Sequence, residues 1–212
     1  MGKPPSRDDI LPGGFTMKRL TLPLSETDIR ELQVGDQVLL NGTIVTGRDA
    51  AHSWLTKEFR PEIKELLEGT VIYHCGPVIR EDNEGYHFVA AGPTTSIREE
   101  PYQSKVIADY GLRGIIGKGG MGEKTLAGLK EHGAVYFHAV GGAASSIAQS
   151  VTKVHDVKML EEFGIPEALW VIEVKEFLAV VTMDSHGNSL HAEISESSTQ
   201  KARQLISGRR EK

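Results

Sequence analysis

The chain has 212 residues, of which 39% are hydrophobic, 25% charged and 6% aromatic, enough for one generous domain with its own core. A balance of 24 basic to 29 acidic residues leaves a net charge of −5, which excludes the basic stripe that a nucleic-acid backbone requires. A single cysteine, Cys75, excludes an internal disulfide framework and any site built from several cysteines of this chain, and no apolar run approaches the roughly 18 residues of a membrane span.

Residues 1–16 read as a flexible N-terminal arm with three prolines and Gly13-Gly14. Its first residues lack the apolar centre of a secretory signal, and Gly2 with Ser6 matches only a short acylation pattern, so a cytoplasmic setting is the default. The ordered domain is expected over 17–194. Ser25-Glu26-Thr27-Asp28 predicts a capped helical turn. Gln37 to Thr46, interrupted by Asn41-Gly42, predicts a tight hairpin, because Asn-Gly supplies the positive φ angles of a type I′ turn.

Helical patterns follow from Ala50 to Phe59 and from Pro61 to Gly69, and short strands are expected at Val71–His74, Pro77–Arg80 and Tyr86–Ala91. Further helices are predicted at Pro101–Tyr110, Glu123–His132 and Ala144–Val151, with strands at Leu112–Ile116, Ala134–Ala139, Leu169–Lys175 and Phe177–Thr182. Residues 195–212 form a polar tail ending in Arg209-Arg210-Glu211-Lys212, a solvated helix or a frayed end. Interleaved strands and helices give a mixed α/β class in one layered domain.

Three clusters carry the chemistry. Gly117-Lys118-Gly119-Gly120-Met121-Gly122 lies between a strand and a helix and fits G-x-G-x-x-G. The acid expected about 20 residues later is missing, and Lys124 is misplaced for a phosphate-binding P-loop. What remains is a glycine-rich turn, with a helix N-terminus and Lys118 suited to an anion. Gly92-Pro93-Thr94-Thr95-Ser96-Ile97-Arg98 puts hydroxyls and a guanidinium in one loop. Either the hydroxyls cap the next helix, or the loop grips a carboxylate. Gly47-Arg48-Asp49-Ala50-Ala51-His52 marks a third strand-to-helix junction, where Arg48 either pairs with a neighbouring acid or faces an anion. Together Arg48, Arg98 and Lys118 fall after strands and at helix starts, an arrangement suited to a small molecule with two carboxylates. The eight histidines form no metal-ligand spacing, and His52 and His138 read as structural. Gly141-Gly142-Ala143-Ala144 reads as close packing against a neighbouring loop or subunit.

These clusters, with Gly141-Gly142-Ala143-Ala144, resemble the β-subunit (or C-terminal half) of the iron–sulfur class I fumarate hydratases and L-tartrate dehydratases, from about Leu24 to Asp184. One feature departs from the family loop: Glu99-Glu100-Pro101 follows Arg98, where Met and then an acid are common.

The resemblance implies a swivelling-type β/β/α domain that closes over an α-subunit, in an α2β2 hetero-oligomer, on a C4 dicarboxylate, with no nucleic acid and no membrane involved. The [4Fe–4S] cluster would be held by that α-subunit, its open iron acting as a Lewis acid on the leaving hydroxyl, and this chain would be inactive alone. Arg48, Arg98 and Lys118 would hold the substrate carboxylates, and Thr94 would be the candidate base, activated by surrounding cations. The implied reaction is reversible hydration of fumarate to malate, or dehydration of tartrate to oxaloacetate. A second reading is a non-catalytic anion-binding or assembly subunit of such a complex.

Overall fold

A computed structural model of the chain describes residues 8–10 and 16–207. The rest of the N-terminal arm, with its Gly2 and Ser6 pattern, and the last five residues of the tail lie outside the described residues. The first elements are β1 (Asp8–Ile10), β2 (Thr16–Thr21), α1 (Glu26–Arg30), β3 (Gln37–Thr46), α2 (Asp49–Lys57), α3 (Pro61–Leu67), β4 (Val71–Tyr73), β5 (Val78–Asp82) and β6 (Gly85–Ala90). A 3₁₀ turn (Ser96–Glu99) then leads into α4 (Glu100–Tyr110), β7 (Gly114–Gly117), α5 (Glu123–His132) and β8 (Val135–His138). The chain ends with α6 (Ala144–Ala148), β9 (Val151–Lys158), α7 (Leu160–Phe163), β10 (Leu169–Met183) and α8 (Leu190–Ser207). The class is mixed α/β, as the interleaved pattern predicts.

Local signals set most helix ends. Ser25 caps α1 in a reciprocal box with Asp28. Pro61 and Pro101 open α3 and α4, where a missing N–H costs nothing, and left-handed Gly111 and Gly133 end α4 and α5.

Strands β3, β4, β7 and β8 run parallel, and β10 returns antiparallel beside both β8 and β3. These five strands therefore close into a ring. Strand β2 extends β3 in parallel, β1 adds to β2, and β9 adds to the first half of β10. Strands β5 and β6 form a separate hairpin whose Tyr86 and Phe88 rings stand edge-on to Trp170.

Alternation along the strands divides the apolar side chains between two cores. Tyr73, Ile116 and Phe137 fill the ring interior with Leu40, Trp170 and Phe177. Their neighbours Ile72, Ile115 and Tyr136 face outward, against Leu55, Leu67, Val106 and Leu129 from helices α2 to α5. One face of the ring is thereby covered by helices α2 to α5.

The predicted hairpin at Asn41-Gly42 is not present: residues 37–46 form one unbroken strand. Tertiary pairing overrides the turn signal, because β10 runs beside β3 on one edge while β2 and β4 share the other. The Asn-Gly pair lies instead where the β3–β10 register shifts, with Gly42 at φ +110° and Asn41 Oδ1 accepting from the Glu176 N–H (2.9 Å). Likewise the helix expected over 144–151 ends at Ala148, and the chain enters β9. The C-terminal α8 has no buried side chain.

Candidate functional site

Parallel strands deliver their C-terminal ends to one edge of the sheet, which is where β3 leaves Arg48, β4 leaves His74 and β7 leaves Lys118. The segment 94–96 wedges between the last two. Thr94 N–H donates to the His74 carbonyl (2.6 Å), Lys118 N–H to the Thr94 carbonyl (3.2 Å) and Ser96 N–H to the Lys118 carbonyl (3.1 Å). Thr94 and Lys118 are thus fixed on adjoining backbones. Neither the Thr94 hydroxyl nor the Lys118 ammonium has a side-chain partner among the described residues, and both are half-buried.

Arg48 and Arg98 come from different elements and meet on one carboxylate oxygen. Asp49 Oδ2 lies 2.5 Å from Arg98 Nη2 and 3.9 Å from Arg48 Nη2. Glu167 holds Arg48 from the other side (3.4 Å) and accepts the Ala50 N–H at the start of α2 (3.0 Å). Asp49 itself sits in the first turn of α2, where the helix dipole favours a negative charge. The two guanidiniums are positioned by carboxylates that a bound dianion would have to rival.

Beneath this surface runs a buried polar chain. The Tyr136 hydroxyl donates to Ser96 Oγ (2.8 Å), Ser96 Oγ bonds His74 Nδ1 (2.8 Å), and the Gln103 amide stands between Nε2 of His74 (2.8 Å) and Nε2 of His52 (3.0 Å). His52 Nδ1 lies 2.9 Å from the Arg48 carbonyl, which only accepts, so that nitrogen carries a proton. Burial holds both imidazoles below their ordinary pKa; a neutral His52, protonated at Nδ1, accepts at Nε2, so the otherwise unpartnered Gln103 NH₂ is the group that must face it. The glycine at 117 is dictated by this chain, since a Cβ there would collide with Ser96 Oγ and come within 2.9 Å of the Tyr136 hydroxyl. The loop hydroxyls do not cap α4: Ser96 is spent in the network, and the N-cap residue Glu99 makes no side-chain cap bond.

The helix N-terminus expected to receive an anion is already filled. Glu100 accepts from the amides of Gly122 (2.8 Å), Lys124 (3.0 Å) and Thr125 (3.2 Å) and from the Thr125 hydroxyl (2.6 Å). An internal carboxylate therefore caps α5 and takes the amides there that an anion would use. Next to it, Glu99 is fully buried and both its carboxyl oxygens lack a partner, as does Arg48 Nε. Burial, then the charge of Asp49, pushes the Glu99 carboxyl up to about 7. Of the small residues at 141–144, Ala144 packs closely, its Cβ 3.1 Å from where a Cβ on Gly92 would stand, whereas Gly141 and Gly142 are exposed and Gly142 faces open space.

Among the described residues no group of three or more His, Cys, Asp or Glu side chains is arranged to hold a metal ion. Cys75 is buried in the ring core, and burial pushes its thiol up to about 12, leaving it a poor ligand.

The fold thus gathers Arg48, Thr94, Arg98 and Lys118 at one edge. Sequence reasoning missed Glu167, the capping role of Glu100 and the burial of Glu99. The acidic pair after Arg98 was visible, but nothing local separates the buried carboxyl from the capping one.

Residues 9–194 match the family model described as fumarase C-terminus. Over 187 residues the chain is 55% identical to a provisionally named class I fumarate hydratase of Geobacillus stearothermophilus, an alignment covering 88% of this chain and 36% of that protein. It is 39% identical over 195 residues to a provisionally named L(+)-tartrate dehydratase subunit beta of Methanocaldococcus jannaschii, covering 91% of this chain and 98% of the relative. Against the L(+)-tartrate dehydratase subunit beta of Escherichia coli K12 the identity is 40% over 177 residues, covering 83% and 87%. The chain therefore spans about a third of the first relative and most of the two beta subunits.

Proposed function

This chain belongs to the fumarase C-terminus family, and on that premise we propose that it is one subunit of a hydro-lyase that adds or removes water on a C4 dicarboxylate. The observation that carries the reading is the meeting of Arg48 and Arg98 on a single oxygen of Asp49, on the strand-end edge that also carries Lys118 and Thr94, whose side chains have no partner among the described residues. A carboxylate already lies between the two guanidiniums, so a substrate carboxylate of the same shape can be received there by charge-assisted hydrogen bonds.

The work of this chain is then to bind and to move a proton. Arg48 and Arg98 orient one carboxylate. Lys118, on the adjoining loop, stabilises negative charge that develops when the neighbouring carbon loses its proton. Thr94 Oγ1 is the group proposed to take that proton. A threonine hydroxyl is a weak base and holds an alkoxide only in a cationic, water-poor setting, which Lys118 and Arg98 supply once a partner covers the strand ends.

An iron–sulfur cluster belongs to this reaction in the class I enzymes, and the residues here do not fit one. The only cysteine is buried with its thiol pushed up to about 12, and no metal-binding group occurs among the described residues. We propose that the cluster is held outside this chain, by a partner polypeptide, a reading supported by relatives named as beta subunits.

The deciding experiment is anaerobic co-expression with an α-type partner, followed by fumarate, malate and tartrate. The isolated chain should turn over none of them, and the cluster-loaded complex should interconvert at least one diacid with its hydrated form. Diacid binding by a cluster-loaded complex that never turns over would support a purely anion-binding subunit instead.

A further inference from the structure

Glu99 closes the 3₁₀ turn that carries Arg98, and its carboxyl turns inward, fully buried and without a hydrogen bond to either oxygen. The groups that face it are the Arg48 guanidinium and Asp49 carboxylate from the start of α2, Arg98 from its own turn, and the Tyr136 hydroxyl from β8. The other titratable groups nearby are already committed. His52 and His74 are neutral and bonded to Gln103, and Glu100 is spent on the α5 amides. An ionised Glu99 would thus be a buried carboxylate beside a second one, Asp49, with no side-chain donor and only its own backbone N–H to offset the charge.

We propose that Glu99 is a positioning residue for substrate binding: in its neutral form it leaves Arg48 and Arg98 with a net positive face for a dianion, and the fraction ionised in the free site takes up a proton when one binds. This rests on the hydro-lyase reading above. Charge counting gives the direction. With Glu99 neutral, the cations Arg48, Arg98 and Lys118 outnumber the carboxylates Asp49 and Glu167 by one; ionised, Glu99 cancels that excess. A dicarboxylate entering the same place adds negative charge, which favours the protonated form of Glu99, so binding draws a proton from solvent onto its carboxylate. The carboxyl is poised for this, being pushed up to about 7 by burial and by Asp49 against the opposing pull of its own backbone N–H, Arg98 and Arg48. Burial holds His138 and His191 below the ordinary imidazole value, His191 further through the charge of His138.

Succinate is a suitable probe, because it carries two carboxylates and has neither a double bond to hydrate nor a hydroxyl to lose. Its affinity for the reconstituted complex, measured by calorimetry between pH 6.5 and 8.5, should fall roughly three- to tenfold as pH rises. In Glu99→Gln it should stay flat at the low-pH value. Titrations in two buffers of different ionisation enthalpy should find uptake of a fraction of a proton per succinate in the wild type at pH 7.5 and none in E99Q. A pH-independent wild-type affinity, zero proton uptake, or an E99Q profile that follows the wild type overturns the role of Glu99. Should E99Q fail to fold, the wild-type proton count decides alone. A complex that binds no succinate at any pH overturns the site reading, and this inference with it, whereas pH-independent binding removes only Glu99.

Discussion

Arg98 separates function from stability at the scale of one side chain. It is half-exposed, at 52% of its side-chain area, and its partner Asp49 is also solvent-accessible, so the pair contributes within about 1 kcal/mol to folding. The same guanidinium is the one proposed to hold a substrate carboxylate. Arg98→Ala should therefore leave the unfolding midpoint nearly unchanged while lowering kcat/KM of the reconstituted complex by roughly 100- to 1,000-fold. Urea unfolding of the chain and steady-state kinetics of the complex check the two halves, and wild-type turnover in R98A would remove the clamp. Arg48, Thr94, Arg98 and Lys118 were legible in the sequence because cations and hydroxyls next to glycine-rich strand ends are a local pattern. Their counter-charges were harder to read. Glu167 lies more than a hundred positions from Arg48, and Glu99 differs from Glu100 only in which way the helix start turns it. Burial of a carboxyl is a property of the packed fold and has no local signature.

At the scale of elements, α4 and α5 are joined through Glu100, whose carboxylate serves three amides and one hydroxyl at the start of α5. That arrangement does the work of an N-cap residue from another helix, because Gly122 at the cap position has no side chain to offer. Glu100→Ala should cost about 1 to 2 kcal/mol in unfolding free energy and speed hydrogen exchange at the amides of Gly122, Lys124 and Thr125 more than elsewhere in α5. Unchanged exchange there would mean that solvent caps the helix equally well. Helices α2 to α5 were legible from their apolar spacing and their glycine stops. Strand β3 was misread because its turn signal is local while its pairing with β10 is not. Strand β9 was missed because an edge strand with mostly exposed side chains carries little hydrophobic pattern.

Across the whole molecule, the closed ring of strands forces its polar connections inward on the helix side, and the resulting buried groups set a pH dependence of two opposite signs. His52 and His74 are fully buried and neutral, held below the ordinary imidazole value by desolvation. In the unfolded chain they bind protons near pH 6.5, so acidification from pH 7 to 5 favours unfolding, by about 2 to 4 kcal/mol if both rings stay neutral in the fold. Glu99 acts the other way: with its folded pKa raised to about 7, the folded state binds the extra proton between the ordinary carboxyl range and that value, and its stabilising share is lost as pH rises through this window. In the wild type the two effects partly cancel below neutrality. Glu99→Gln removes one of them. The variant should therefore be more stable than the wild type by about 1 to 3 kcal/mol at pH 8, a gap of several degrees in melting temperature that closes by pH 5. E99Q itself should lose stability steeply from pH 7 to 5 because the histidines now act unopposed. Thermal unfolding of both chains at pH 5, 6, 7 and 8 tests each sign separately. A gap that does not change with pH would mean the Glu99 carboxyl keeps one charge state, and a flat E99Q curve would mean that the fold accommodates charged imidazoles at the Gln103 amide.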